Sequence, residues 1–226
     1  MAVTWSYSSI SLYKQCPKKY YHLKVKKDYV DAGSTATMYG QLIHKTLEDY
    51  IRDGVDIPPG YEYLRKYAEP LSELPGIKHC EVKLGVSKTD TGYAACDFFA
   101  KDAYYRGIAD LVVIDGSRAW SIDYKTGKSS KYADMAQLNA VAAAVFTHFP
   151  EVDTINSALM FVVADDILKK KHYREHTNSY LDAFAPYVDR LEAAMENGVW
   201  NANPSGLCGY CPVTDCPNWK PPRRRY

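Results

Sequence analysis

Residues 104–125, YYRGIADLVVIDGSRAWSIDYK, contain two β-rich runs with a short polar segment between them. The polar segment is DGSR at 115–118. An Asp-Gly pair between two such runs is a strong signal for a tight hairpin turn. We therefore predict an antiparallel hairpin. If the turn centres on the middle of DGSR, counting outward along the strands brings Asp110 opposite Asp123.

The end of the second strand carries an acid and a base on one face. Asp123 and Lys125 are two residues apart and so project to the same side of the strand, whereas Tyr124 points away. Two carboxylates that face each other on an apolar sheet are costly unless a cation neutralises them, so Asp110 and Asp123 indicate a divalent-metal site. Oxygen ligands suit Mg²⁺ or Mn²⁺.

Phosphodiester hydrolysis needs a metal that polarises the phosphate and a cation that stabilises developing charge. Lys125 is placed for the second role. The alternative is an ordinary surface salt bridge between Asp123 and Lys125, with Asp110 in an unrelated turn. An Asp-x-Lys pattern by itself does not separate these two interpretations.

Apolar spacing predicts the elements around the hairpin. Helices are predicted at 6–20, where Pro17 breaks the pattern, and at 38–51, 63–69, 131–149 and 179–197. Additional strands are predicted at 79–86 and 155–164. This order predicts an α/β fold with a central mixed β-sheet flanked by helices.

The composition is that of a folded domain, with 46% hydrophobic and 24% charged residues among 226. No run reaches the roughly 18 apolar residues that a membrane span needs, and the first eleven residues lack a signal-peptide pattern. We therefore expect no membrane partner and a cytoplasmic protein. A formal charge of +1 argues against a uniformly basic surface, but lysines and arginines can still line a groove that binds nucleic acid.

Six cysteines occur, and without a secretion signal they indicate metal ligands or buried thiols rather than disulfides. Cys208, Cys211 and Cys216 are clustered, and Cys16 could supply a fourth ligand. Four thiolates fit a zinc ion or an iron–sulfur cluster, and the spacing alone does not separate them. The other two cysteines fall in or beside predicted strands, and we expect them to be buried thiols: Cys80 and Cys96.

Four motifs follow one another along the chain: GQLIH at 40–44, GIAD at 107–110, DYKTGK at 123–128, and Gln137 on the helix after the hairpin. Their order, the hairpin and the helix resemble the PD-(D/E)XK nucleases of the RecB-like branch. GQLIH is similar to the motif by which that branch adds a metal-binding histidine. The chain start is similar to the same branch, so the resemblance extends from about Ser6 to Pro217.

The resemblance implies a restriction-endonuclease-like core and a set of site residues. The implied metal ligands are the side chains of His44, Asp110 and Asp123 and the carbonyl of Tyr124. The implied catalytic residues are Asp110, Asp123, Lys125 and Gln137. Among these, Lys125 is the catalytic lysine, and Gln137 contacts the scissile region of the substrate.

Two positions fit the family pattern less closely. Glu81 corresponds less securely to an acidic strand residue, and Val141 replaces the tyrosine that usually follows the glutamine by four residues. For His44 considered alone, the alternative is an ordinary, partly buried helix histidine. The accompanying motifs favour a metal ligand.

RecB-like helicase–nucleases and CRISPR-adaptation nucleases hold a [4Fe-4S] cluster with one cysteine before the nuclease core and three after it. Cys16, Cys208, Cys211 and Cys216 fit that arrangement. The resemblance therefore implies a cluster that joins the N- and C-terminal segments, with zinc as the alternative occupant. Chain length predicts a single domain, which the resemblance makes a nuclease domain over 1–220. The Pro- and Arg-rich end predicts a mobile basic tail over 221–226.

The expected function is that of a Mg²⁺- or Mn²⁺-dependent DNA nuclease. By resemblance it is an exonuclease acting on single-stranded or end-containing DNA in recombination, repair, CRISPR adaptation or phage DNA metabolism. The alternatives are a non-catalytic DNA-binding or assembly subunit with the same fold, and an RNase using the same site. The sequence has no phosphate-cradling helicase motif, so unwinding would come from a helicase or recombination partner, and a homo-oligomer would make digestion processive.

Two basic stretches have an ordinary and a functional interpretation. Lys128 and Lys131 follow the catalytic strand and could meet backbone phosphates, although exposed lysines after a turn need no special reason. The run KKKH at 169–172 is predicted to be a solvated basic turn or a guide for DNA.

Overall fold

The computed structural model describes residues 3–31, 33 and 35–221. The predicted mobile tail, 221–226, lies outside the described residues apart from Pro221. The described helices are α1 (Tyr7–Gln15), α2 (Pro17–Tyr20), α3 (Thr35–Asp53), α4 (Arg65–Ser72), α5 (Ala136–His148), α6 (Thr177–Asp182) and α7 (Ala185–Asn197). The described strands are β1 (Ile77–Thr89), β2 (Gly92–Cys96), β3 (Ala103–Asp115), β4 (Arg118–Lys125), β5 (Thr154–Phe161) and β6 (Asp166–Tyr173). A π-helix at Tyr21–Lys26 and 3₁₀ turns at Glu62–Leu64, Arg174–His176 and Cys208–Tyr210 complete the regular structure in these ranges.

The chain forms two compact units. Unit 1 combines the two ends of the chain, before residue 33 and from Phe184 onward, and so contains α1, α2 and α7. Unit 2 is Gly33–Ala183 and contains the whole sheet with α3 to α6.

Unit 2 is built on a six-stranded sheet with the order β2-β1-β3-β4-β5-β6. Its strands pair antiparallel except β4 and β5, which are parallel and are connected through α5. Parallel neighbours need such a helical crossover, whereas antiparallel neighbours can be joined by short turns. The predicted α/β fold with a mixed sheet flanked by helices is confirmed.

Helices cover both faces of this sheet. On one face, Ile43 of α3 is fully buried in a cluster that also contains Tyr124 of β4. On the other face, Leu138 of α5 packs against β5, and Gln137 of α5 contacts the side chain of Asp123. Consecutive strand residues point to opposite faces, which explains why Tyr124 and Asp123 serve different layers.

The hairpin of β3 and β4 has the predicted register. Asp115 pairs with Arg118, Gly116 in the turn has a φ of 57°, and the last paired residues are Leu111 and Ile122. One step further along this register, Asp110 stands opposite Asp123, as the count from the turn predicts.

Several predicted boundaries were wrong. The predicted helix at 131–149 begins only at Ala136, because Asp134 Oδ1 accepts the backbone N–H of Ala136 and holds the preceding residues in a turn. The predicted helix at 179–197 is divided between α6 and α7. The helix predicted at 6–20 ends at Gln15, and Pro17 begins α2, a position that proline favours.

Two strands were not predicted, β2 and β6. The run KKKH at 169–172 is not a solvated turn but half of edge strand β6. Lys169 and Lys171 are exposed there, whereas His172 is fully buried. Lysines on an edge strand disfavour pairing with another sheet, which gives this run a structural role.

Unit 1 is held together by contacts between residues far apart in sequence. Ser6 and Ser9 form a reciprocal capping box that starts α1. Tyr13 of α1 donates a hydrogen bond of 2.9 Å to the carbonyl oxygen of Arg190 in α7. The rings of Tyr20 and Tyr21 stack on Trp200, with centroid separations of 6.1 and 5.2 Å. These aromatic contacts give the unit its own core.

Candidate active site

A backbone irregularity in β1 brings an acid to the site. The residues on either side of Glu81 pair with those on either side of Asp110, so the two acids stand opposite each other. Glu81 has a φ of 51°, in the left-handed region that residues with a side chain seldom adopt. Strained backbone of this kind concentrates at functional sites.

His44 reaches the carboxyl end of β4 from α3. Its Nε2 lies 3.0 Å from the carbonyl oxygen of Tyr124, and its Nδ1 lies 3.4 Å from Asp110 Oδ2. The same Asp110 oxygen accepts a 2.7 Å hydrogen bond from the backbone N–H of Tyr124. The imidazole is thus fixed between a carboxylate and a peptide carbonyl.

Gly40 allows α3 to come this close to β4. It lies one turn before His44 and beside Thr126, which directly follows the strand. A β-carbon at position 40 would lie 3.3 Å from Thr126 Oγ1, closer than most such contacts. A glycine in the GQLIH motif therefore has a packing reason.

His44, Glu81 and Asp110 each offer a ligand atom, and these atoms all lie within 4.8 Å of one another. Within the described ranges, no other set of three or more His, Cys, Asp or Glu side chains is so closely spaced. Asp123 is outside this set of three but adjacent to it in the sheet.

Asp123 has one contact on each carboxylate oxygen. Gln137 donates a short hydrogen bond to Oδ1, and Lys125 Nζ lies 2.5 Å from Oδ2. The buried Oδ2 therefore has the Lys125 ammonium as an ionic partner, although no hydrogen bond of standard geometry reaches it in the described part of the chain.

The acids of this site are destabilised as anions. Burial raises the pKa of Asp123 to about 6, although the Lys125 ammonium lowers it, and the charge of Asp110 raises it further. Burial and the charge of Asp110 also raise the pKa of Glu81. Burial by itself would lower the pKa of His44, but the hydrogen bond and charge of Asp110 outweigh it and the net shift is upward.

These residues fit a divalent metal ion. A cation would relieve the repulsion among the acids. Carboxylate, carbonyl and imidazole are ligands that Mn²⁺ accepts, and Mg²⁺ favours the oxygens among them.

The sequence profile that describes the PD-(D/E)XK nuclease superfamily matches residues 4–216, a range that contains all of these side chains. The chain belongs to the PD-(D/E)XK nuclease superfamily. Membership confirms the prediction of a nuclease, a hydrolase that acts on nucleic acid, and the prediction that this superfamily's divalent-metal chemistry applies.

No curated protein is significantly similar to this nuclease. Among solved structures, one protein named SSO0001 is 14% identical, with 96% of this chain and 87% of that chain covered and a TM-score of 0.48. A second, from Eubacterium rectale and described as a candidate exonuclease, is 12% identical, with 98% and 88% covered and a TM-score of 0.52. At this identity the second likeness concerns the fold alone.

The predicted site residues of the nuclease come together in unit 2: His44, Asp110, Asp123, Tyr124, Lys125 and Gln137. Their individual roles stay predictions. Glu81 joins the acids more closely than the sequence indicated, and its only signal was an acid in the strand before Asp110. Val141 is buried in α5, so it offers no polar group to a substrate.

The four cysteines predicted to bind a cluster lie in unit 1 and line one cavity of about 40 Å³. The backbone N–H groups of Asn203 and Ser205 donate to Cys16 Sγ and Cys208 Sγ at 3.4 and 3.3 Å. No three of the sulfurs lie within 4.8 Å of one another, so they do not form a close-packed ligand set, and the cluster stays a prediction.

The other two cysteines are free and only partly buried, which corrects the expectation of buried thiols. Cys80 lies in β1 and Cys96 ends β2. In both, the burial that exists raises the thiol pKa.

Among the described residues, every helix is too short or too polar to cross a lipid bilayer.

Proposed function

We propose that this nuclease is a Mg²⁺- or Mn²⁺-dependent deoxyribonuclease that digests DNA from its ends. The observation that supports this most strongly is the convergence of ligand atoms of His44, Glu81 and Asp110 within 4.8 Å of one another, beside the Asp123–Lys125 ion pair. The choice of DNA as the substrate and of its ends as the starting point rests on the resemblance of the motifs to RecB-like enzymes.

The metal would be held by the side chains of His44, Glu81, Asp110 and Asp123 and by the carbonyl of Tyr124. When bound, it would polarise the scissile phosphate and lower the pKa of a water molecule. The Asp110 carboxylate also accepts a hydrogen bond from the backbone N–H of Tyr124 and lies beside the His44 imidazole. It therefore helps to position both the Tyr124 backbone and the His44 ring. The protein's own contribution is this preorganisation.

Lys125 is proposed as the catalytic cation. Its ammonium stands at the edge of the acids, held by Asp123, where it can meet a phosphate oxygen as negative charge develops. Lys128 and Lys131 are exposed in the segment between β4 and α5 and would contact phosphates outside the reacting bond.

The cellular setting that we propose is recombination, repair, CRISPR adaptation or phage DNA metabolism. Because the chain contains no helicase motif, duplex substrates would be opened by a helicase or recombination partner. Cytoplasmic location, self-association and a single nuclease domain over 1–220 belong to the same proposal.

End-labelled single-stranded DNA, duplex DNA, circular DNA and RNA, each incubated with Mg²⁺ or Mn²⁺, test the activity. We expect cleavage of linear DNA that starts at an end, with circular DNA spared. Preferential cleavage of RNA would favour the ribonuclease alternative. Absence of cleavage with every substrate and metal would favour the non-catalytic subunit.

Matched variants test the site itself. Asp123→Asn and Lys125→Met should each lower kcat by about a hundredfold or more, because the first removes the charge of a proposed metal ligand and the second removes the cation proposed to meet the phosphate. Asp115→Asn and Lys101→Met change the same residue types at the hairpin turn and in an exposed loop, and they should retain parental activity. Full activity in both site variants would overturn the assignment.

Unit 1 carries the second part of the proposal, a [4Fe-4S] cluster bound by Cys16, Cys208, Cys211 and Cys216. Their common cavity and the N–H groups aimed at two of the sulfurs support it. Four thiolates would also suit a single zinc ion, and the positions of the cysteines in the chain do not separate the two occupants.

Anaerobic purification tests the occupant. We expect a brown protein with a broad visible absorption band and about four irons per chain. In Cys16→Ser or Cys211→Ser the iron and the band should be lost, whereas Cys80→Ser should retain both. A colourless protein with one zinc per chain would replace the cluster with the zinc alternative.

A further inference from the structure

Unit 1 contains a second cavity that the proposed active site does not use. Its volume is about 370 Å³, within the range of sites that hold a small-molecule-sized group. Six of the side chains that line it are aromatic, basic or amide: Tyr13, Lys14, Tyr187, Arg190, Asn201 and Asn203. No acidic side chain lines it in the described part of the chain.

Hydrogen bonds between residues far apart in the sequence hold the walls of this cavity together. Tyr13 donates a 2.9 Å hydrogen bond to the Arg190 carbonyl oxygen, and Asn203 Nδ2 donates one of 3.1 Å to the Gln15 carbonyl oxygen. These bonds join residues 177 and 188 positions apart. A cavity built in this way is preorganised, which reduces the entropic cost of binding a ligand.

The cavity is positively charged. Lys14 Nζ lies 4.5 Å from the centroid of the Tyr187 ring, a cation–π contact that holds the ammonium at the cavity wall. Arg190 adds an exposed guanidinium from α7. Lys14 and Arg190 are the charged side chains in its lining among the described residues, and both are cationic. Such a local excess of positive charge attracts an anionic ligand.

We propose that this cavity seats one nucleotide of a single-stranded nucleic acid. Lys14 and Arg190 contact phosphate oxygens, the Tyr187 ring packs against the sugar or base, and the asparagine amides hydrogen-bond to base edges. Basic side chains beside aromatic rings are the combination with which proteins hold unpaired strands. This proposal rests on the proposed function, because it assumes that the protein acts on a nucleic-acid strand. It adds a binding site for that strand in unit 1.

Binding can be measured without cleavage. The full-length Asp123→Asn protein in EDTA is titrated against a fluorescein-labelled oligothymidylate at several salt concentrations, with fluorescence anisotropy as the readout. Lys14→Ala and Arg190→Ala should each weaken binding and each reduce the slope of log K against log salt by about 0.7, the value for one phosphate contact on a single strand. Lys14→Arg and Arg190→Lys keep the charge and should keep the slope.

The aromatic contribution is tested separately. Tyr187→Ala should weaken binding roughly tenfold, as expected for loss of one ring contact to a nucleotide. Tyr187→Phe should bind like the parent, because the ring face is retained. Equal binding by the parent and Tyr187→Ala would contradict the seating of a nucleotide here.

A measurement without variants provides an independent test. Photocrosslinking to a 4-thiothymidine strand should label peptides that contain residues 13–14, 187–190 or 201–203. Labelling confined to other peptides, or an unchanged salt slope in both alanine variants, would overturn the cavity proposal and leave the nuclease proposal intact. Tighter binding of blunt duplex than of single strand would also overturn it. Loss of all cleavage in the otherwise unmodified nuclease would instead count against the proposed function.

Discussion

Gln137 connects α5 to the acids of the proposed active site through its hydrogen bond to Asp123. With Oδ1 held in this way, the other oxygen of Asp123 is left beside Lys125 and without a hydrogen-bond partner in the described residues. We therefore propose that Gln137 acts through Asp123 as a positioning residue. Partners of metal ligands commonly contribute as much to activity as some of the ligands themselves.

We expect Gln137→Ala to lower kcat by about 10- to 100-fold, with a smaller effect on KM, because the orientation of Asp123 is lost while the groups that bind the strand remain. Gln137→Glu keeps the size of the side chain but replaces a donor with a like charge, so its loss should be at least as large. Steady-state kinetics with labelled DNA in Mn²⁺ measure both. Parental kcat in Gln137→Ala would contradict a positioning role.

The residue scale also marks the limit of prediction from sequence. The meeting of Asp110 and Asp123 follows from counting along a hairpin whose turn is written in the sequence as Asp-Gly. The position of Glu81 cannot be obtained by such counting, because it depends on a left-handed backbone conformation that no local residue preference indicates. The positions of His44 and Gln137 at the site could be predicted only through the family resemblance, because these residues lie on two separate helices that contact the sheet.

Strand β6 is fixed to unit 2 by a buried polar network. His172 lies 3.0 Å from Ser157 Oγ on β5 and 3.1 Å from Asn139 Oδ1 on α5, and Lys170 Nζ donates to the same Asn139 oxygen at 2.8 Å. Burial lowers the pKa of His172 to about 4, and the Lys170 charge lowers it further. The imidazole is therefore neutral in the folded protein.

This network predicts a pH dependence of stability. The unfolded chain binds a proton at His172 below about pH 6.5, but the folded protein does so only near pH 4, so folding stability is present above pH 6.5 and is lost as the pH falls toward 4. The loss should be at most about 3 kcal/mol. In His172→Gln the free energy of unfolding should fall less over this interval than in the parent.

The exposed His176, four residues later, is the matched control. His176→Gln should follow the parental curve, measured by urea unfolding at several pH values. The same pH dependence in the parent and in His172→Gln would show that His172 does not contribute.

At the scale of elements, strongly patterned segments were predictable and weakly patterned ones were not. The β3–β4 hairpin and α5 combine apolar periodicity with clear turn residues, so their existence followed from local sequence. Strand β6 was missed because lysines occupy both of its faces and conceal the alternation that identifies a strand. Strand β2 has only five residues, and its small side chains give little pattern.

At the scale of the whole molecule, unit 1 depends on residues from both ends of the chain. Contacts between the two segments contribute to its order, and a metal cluster bound by Cys16 and the three later cysteines would add to them. We expect Cys16→Ala to increase amide hydrogen exchange in α1 and α7 while the strands of unit 2 keep parental protection.

Hydrogen–deuterium exchange with mass spectrometry measures this effect for each unit. Cys80→Ala changes a thiol in β1 of unit 2 and should leave unit 1 unaffected. Unchanged exchange in unit 1 after loss of Cys16 would mean that the cysteines do not stabilise it. Equal increases in both units would mean that the effect is not confined to the chain ends.

Because unit 1 combines the two ends of the chain, its assembly is governed by the order of synthesis. The ribosome makes Cys16 before any part of unit 2 and makes Cys208 after all of it. At translation rates of about 5–20 residues per second, the intervening residues require roughly 10 to 40 seconds. During this time the sheet of unit 2 can fold. Cys16 meanwhile lacks the three later cysteines, and its thiol is exposed to oxidants and to competing metals. The proposed cluster could therefore form only after Cys208, Cys211 and Cys216 have been made, and the supply of metal at that moment would then affect how the two segments of unit 1 are joined.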